Sequence, residues 1–178
     1  CAGTINTVVG SGTLVTFPVM IGIGVPPVTA NVSNSVGLFP GSLVGAWGYR
    51  RELAGQRDRC IRLGIASVIG AVAGAVLLLT LPADAFKMIV PALIILALLL
   101  VLFGKRLTAW LAHTSHRPSE RTTPLLWGLT LCSGVYGGYF GAAQGVILMG
   151  IFGILLAEPI QRQNGLKNLM SGLVNLVA

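Results

Sequence analysis

Two small sets of polar residues stand out in an otherwise oily chain of 178 residues. Asn31, Ser33 and Asn34 follow a glycine-studded, charge-free stretch (1–24), and Asn164, Lys167, Asn168 and Asn175 follow a second one (134–153). An amide surrounded by hydrocarbon needs partners, so it can hold a ligand or cap a broken helix. Lys167 can attract an anion, or it can snorkel to an interface. Around these sets, Gly10, Gly12, Gly138 and Gly141 are candidate break points, where unwound backbone and positive helix N-termini would face an anion. Ser11, Thr13 and Gln144 add side-chain donors. The candidate binding residues are therefore Ser11, Thr13, Asn31, Ser33, Asn34, Gln144, Lys167, Asn168 and Asn175. A plainer reading makes Gly3, Gly10, Gly12, Gly137, Gly138 and Gly141 close-packing positions between helices. Asn6 is explained equally well by one helix-to-helix hydrogen bond.

Charge placement defines the elements that must carry these residues. Positions 1–49 hold no Asp, Glu, Lys or Arg, and further uncharged runs cover 63–83, 88–104, 122–157 and 168–178. A helix needs roughly 20 mainly apolar residues to cross a bilayer, and these runs meet or approach that length. Mean hydropathy is +0.83 and only 10% of residues are charged, where a soluble domain has about 25%. The expected fold is all-α, a polytopic transmembrane helix bundle with two Gly-rich structural repeats. Spans are expected at 1–24, 31–49, 61–81, 86–104 and 124–157, with another helix opening near 164. The 34 residues of 124–157 would make a helix of about 51 Å. That stretch is either one strongly tilted helix or two pieces broken at Gly137-Gly138 or at Gly141.

The basic residues gather in two places, 50–62 and 105–121, which the positive-inside rule puts in the cytoplasm. Between them, Leu81-Pro-Ala-Asp84 forms the outer tip of a helical hairpin. Trp47, Tyr49 and Trp110 lie beside the basic segments as interfacial anchors. The formal charge of +7 therefore calls for no nucleic acid, since no aromatic residues interleave to stack bases. The organisation is a first transmembrane repeat (1–104), a basic linker (105–122) and an incomplete second repeat (123–178). A shift of 131 residues pairs Gly3 with Gly134, Gly10 with Gly141, Val15 with Val146, Gly22 with Gly153 and Ile23 with Ile154. A further three-residue adjustment pairs Asn34 with Asn168. If each Gly-rich segment crosses once, the repeats run parallel; if each is broken and counts twice, they are inverted.

Chemistry beyond binding has little support. Glu158 precedes Pro159 and ends a span, with proton coupling as the alternative role. His113 and His116 fall in the basic segment, where solvation explains them better than a metal. The three cysteines, Cys1, Cys60 and Cys132, are scattered and odd in number. No nucleophile, acid–base pair or cofactor loop stands out, so an enzyme, a metal and a cofactor are all unexpected. The chain starts at Cys1 and stops in mid-helix, which reads as a piece of a longer protein without a removable signal peptide.

The run Ala2-Gly-Thr-Ile-Asn-Thr-Val-Val-Gly-Ser-Gly-Thr-Leu-Val-Thr-Phe-Pro18, then Gly24-Val-Pro-Pro-Val-Thr-Ala-Asn-Val-Ser-Asn34 and Gly41-Ser-Leu through Tyr49-Arg-Arg51, resembles the first half of the sulfite exporter TauE/SafE family. Gly134-Val-Tyr-Gly-Gly-Tyr-Phe-Gly141, Asn164-Gly-Leu-Lys-Asn168 and Asn175 are similar to its second repeat. The resemblance implies a multi-pass carrier of the bacterial plasma membrane for sulfite, sulfonates or other small anions, with two or three C-terminal spans missing here. Ser33-Asn34 stands where the family commonly has Thr-Asn, and Gln144 where a small or apolar residue is usual. Both departures bear on the substrate. The expected partners are a small anion and the lipid bilayer, and a homodimer is compatible with the pattern. The alternative function is a non-transporting membrane scaffold or assembly factor. A cation or metal permease is a weaker third idea, since its acidic, His or Cys cluster is missing from the expected core.

Overall fold

The computed structural model describes residues 2–8, 10–114 and 123–178. Among these residues the regular elements are nine α-helices: α1 (Ala2–Val8), α2 (Thr13–Gly22), α3 (Pro27–Gly48), α4 (Arg50–Leu53), α5 (Arg57–Thr80), α6 (Ala83–Thr114), α7 (Pro124–Tyr139), α8 (Gln144–Leu155) and α9 (Ile160–Val177). The expected all-α class is what the chain adopts. Among the described residues one helix, the 24-residue α5, is by itself long and apolar enough to cross a membrane, its 18-residue apolar window having a mean hydropathy of 2.3.

Two expected spans are divided. The stretch 1–24 is not one helix but two, because Gly10 adopts φ +82°, a left-handed conformation that an α-helix cannot continue through. The stretch 124–157 is likewise α7 and α8, parted between Tyr139 and Gln144 with Gly141 at φ +73°. Of the two break points offered by the sequence, Gly141 is the one used; α7 runs unbroken through Gly137 and Gly138. Helices α3 and α9 both start after an extended proline, Pro26 at ψ 139° and Pro159 at ψ 147°. Proline's fixed φ suits a helix entrance and its missing N–H is no loss there. The turn between α5 and α6 falls at Leu81-Pro82, as the hairpin pattern requires. Helix α6 continues to Thr114, so Lys105, Arg106 and His113 are helical rather than in a loop, whereas His116, Arg117 and Arg121 lie outside the described residues.

Glycine explains why α5 and α7 can lie so close. Gly70 and Gly74 on α5 face Gly134 and Gly138 on α7, each pair one turn apart. A methyl group added at Gly70 or Gly74 would collide with the Leu131 or Val135 carbonyl, and one at Gly138 with the Ala71 carbonyl. Such close approach maximises dispersion contacts where lipid weakens any hydrophobic drive. Gly138 thus serves packing. Phe17 on α2 and Phe140 in the second break meet edge to face, centroids 5.2 Å apart, a geometry worth about 0.5–1.5 kcal/mol. A second apolar cluster joins Leu63, Leu126, Leu148, Phe152, Leu166 and Met170 across α5, α7, α8 and α9.

Candidate functional site

The two breaks touch. Gly10 in the first lies against Gly145 at the start of α8, so closely that a Cβ on either would strike the other's backbone. Neither Gly12, ahead of α2, nor Ala143, ahead of α8, caps its helix with a side chain. The amides of both first turns are instead taken by carbonyls of the breaks, Leu14 by Ser11, Val15 and Thr16 by Gly12, Gln144 by Gly141, and Val146 and Ile147 by Ala143.

The opposite ends of the breaks, where carbonyls lack partners, are capped by residues from far along the chain. Lys167 of α9 donates from Nζ to the Thr7 carbonyl at 2.6 Å and the Val8 carbonyl at 3.4 Å. Its side chain is wholly buried, at 0% exposure. Asn31 of α3 donates from Nδ2 to the Tyr139 carbonyl, the last of α7, at 3.1 Å. Each half-helix is therefore closed by the second helix after the other break, α1 by α9 and α7 by α3. Carbonyls at a helix C-terminus carry partial negative charge, so an ammonium suits the first site and an amide can serve the second.

The remaining candidates fall around this crossing. Asn34 donates to the Thr13 hydroxyl at 2.9 Å and accepts from Thr16, fastening α2 onto α3. Gln144 is buried, lies across Gly137 and donates to the Ser133 carbonyl at 3.4 Å. Ser11 is buried inside the first break, and its carbonyl receives the Leu14 amide at 3.1 Å. Asn168, 1% exposed, sits over Gly45 and beside Lys167, and its Nδ2 has no protein partner. Asn31 keeps an unpartnered Oδ1. Asn175 and Asn6 converge on the Ser42 hydroxyl at 3.5 and 3.1 Å. Ser33 is exposed and stands apart from the crossing. Gly12 keeps right-handed dihedrals, φ −56° and ψ −36°, so Gly10 alone turns the first break left-handed.

Thr7, Thr16, Ser42 and Gly45 also belong here, although the sequence reading passed over them. Asn31, Asn34, Leu38, Ser42 and Gly45 are all buried on α3 and recur every three or four residues. That periodicity was the available signal, and it also separates Asn34 from Ser33.

A separate ionic cluster sits where α5 begins. Glu158, between α8 and α9, accepts from Arg59 at 2.7 Å and Arg162 at 3.0 Å. Burial opposes ionisation of Glu158, but hydrogen bonds from both guanidinium groups and their charges outweigh it, holding the carboxyl below the usual carboxylate range.

A chain-long match decides what kind of protein carries this crossing: residues 1–178 fit the pattern described as sulfite exporter TauE/SafE. The chain belongs to the sulfite exporter TauE/SafE family. Relatives of this TauE/SafE chain include a "Probable membrane transporter protein ORF9" from Sinorhizobium sp, 32% identical over 151 residues, covering 83% of this chain and 55% of that protein. The "Probable membrane transporter protein YfcA" of Escherichia coli K12 is 27% identical over 146 residues, 81% of this chain and 52% of its own length. A "Probable membrane transporter protein" of Haemophilus influenzae is 28% identical over 149 residues, 83% and 56% of the two lengths. The TauE/SafE chain thus spans about half the length of the curated relatives it matches. No solved structure matches it. The named relatives are described as probable membrane transporters.

Proposed function

We propose that this protein carries a small anion, such as sulfite or an organosulfonate, across the bacterial plasma membrane by alternating access around the two crossed breaks. One observation supports the anion most strongly. Lys167 is fully buried with the Thr7 and Val8 carbonyls as partners, and Asn168, the next residue of α9, keeps an unpartnered amide. Helices α1, α3, α7 and α8 contain no charged side chain, and the acids of α4 and α5, Glu52 and Asp58, lie in the basic segment 50–62. Donors without a carboxylate favour a negative guest.

The two Gly-rich segments are structural repeats in this reading. Gly10 and Gly141 both turn left-handed, and α2 and α8 both start three residues later, which keeps the 131-residue offset of the sequence. The reciprocal caps of Lys167 and Asn31 add a two-fold character. The basic segments 50–62 and 105–121 face the cytoplasm in the same reading, and Ser11, Thr13, Asn34, Gln144 and Asn175 line or brace the path.

Uptake of labelled sulfite, and of a sulfonate, into proteoliposomes holding the full-length protein tests the proposal. Saturable uptake that falls in Asn34→Ala and Asn168→Ala variants is the expected result. Full uptake by both variants, with the fold intact, would remove these residues from the site; no uptake of either compound would leave the scaffold reading.

A further inference from the structure

The cap on α1 differs in kind from every other polar tie in the crossing, because it is a full charge set against neutral acceptors. Lys167 Nζ donates to the Thr7 and Val8 carbonyls, and the helices that bring them together, α1 and α9, contain no acid. An ammonium binds an anion more strongly than it binds a carbonyl dipole. Lysine carries its charge on a flexible stem, so it can change partners without moving its own backbone. Beside it, Asn168 holds an unused donor at 1% exposure.

Resting on the anion-carrier reading, we infer that Lys167 is shared in turn between the carbonyl end of α1 and the transported anion, so that the group that recognises the anion is also the clasp that holds α1. With the site empty, the ammonium caps Thr7 and Val8 and fixes α1 to α9. An arriving anion takes the ammonium and the free Asn168 amide together. The α1 carbonyls then lose that donor, and the end of α1 is released from α9 while Asn6 and Thr7 keep the helix on α3. Occupancy moves the helix because the anion binds only the released arrangement with its full set of donors. The second break lacks this device: the end of α7 is held by the uncharged amide of Asn31.

Spin labels placed by cysteine substitution at the exposed positions Thr4 on α1 and Leu176 on α9, in full-length protein cleared of its native cysteines and held in nanodiscs, measure the α1–α9 distance. Sulfite is the probe. The expected result is a sulfite-induced shift in the otherwise unchanged protein, the shifted distance already present without sulfite in Lys167→Met, and no further change when sulfite is added to that variant. Lys167→Arg, which keeps the charge, should hold the unshifted distance until sulfite is added. Asn168→Ala should keep the empty-state distance while binding sulfite more weakly, by about tenfold, as should Lys167→Met by about 10- to 100-fold. An unshifted distance in Lys167→Met, or a sulfite response in that variant equal to the parent's, overturns the inference. Sulfite uptake measured on the same preparations separates the two readings: uptake with distances indifferent to Lys167 overturns the clasp alone, whereas no binding and no uptake overturns the carrier reading beneath it.

Discussion

The first and second breaks solve one problem with unequal means. Both interrupt an apolar stretch at a left-handed glycine, and both leave a helix end whose carbonyls need donors. The second is tied several times over: Asn31 caps it, the Tyr136 hydroxyl donates to the Ala142 carbonyl at 2.7 Å, Gln144 reaches back to Ser133, and Phe140 packs on Phe17. The first is capped by one buried ammonium at its carbonyl end, while Asn6 and Thr7 tie α1 to Ser42 and Gly41 of α3 and Asn34 holds the helix beyond it. The pair thus differs in the charge of its caps, an ammonium at one and an amide at the other, a difference that the proposed alternation around a fixed framework would use.

The largest test of that contrast is Gly10→Ala. The new methyl would meet Gly145 backbone and the residue would be forced into a left-handed conformation, together costing about 3 kcal/mol or more. Thermal unfolding in detergent should show a large drop, whereas Gly3→Ala, with open space around it, should change little. Near-equal melting temperatures for the two would mean that the crossing is not tightly packed. Next in size, Asn31→Ala strands the Tyr139 carbonyl and should cost about 1–3 kcal/mol, seen as faster hydrogen exchange confined to residues 140–147. Fraying at α1 instead would break the assignment of caps. Tyr136→Phe removes one of several ties on the second break and should cost about 0.5–1.5 kcal/mol. A change as large as that of Asn31→Ala would show that the hydroxyl, not the amide, governs this end. Ala143 is a non-glycine residue at φ 58°, so Ala143→Gly should raise stability slightly, by up to about 1 kcal/mol.

The smallest effect concerns pH and lies outside both breaks. The two arginines hold the Glu158 carboxyl below its usual range despite burial. Its contribution is therefore complete above the unfolded value of about 4.3 and is lost as pH falls through the lower folded value. Hydrogen exchange in the α8–α9 turn should be unaffected by the Glu158 tie between pH 7 and 5 and should quicken only in stronger acid; Glu158→Gln should show the quickened exchange already at pH 7. Loosening between pH 7 and 5 in the parent protein would contradict the ionised cluster.

Much of the crossing was legible because its residues obey local rules. A left-handed turn in an apolar helix calls for glycine, and amides in hydrocarbon must be buried and paired, so Gly10, Gly141, Asn31, Asn34, Gln144 and Asn168 could be picked out by type and order. Ser33 could have been set aside by helical phase, since the buried face of α3 passes through Asn31, Asn34 and Leu38. Gly138 could not be told from Gly141 in this way. Both are glycines a few residues apart, and only the approach of Ala71 on α5 makes one a packing position while the other turns the chain.

By itself the sequence determined the membrane class, the family and the stretches that form the crossing, since these follow from composition, residue type and spacing along the chain. Tertiary structure alone decided which helix closes which break. Lys167 reaches a carbonyl 160 residues away and Asn31 one 108 residues away. No local propensity encodes such distances; they arise when packing brings α9 to the end of α1 and α3 to the end of α7, and lone carbonyls in a dry interior accept the nearest donor.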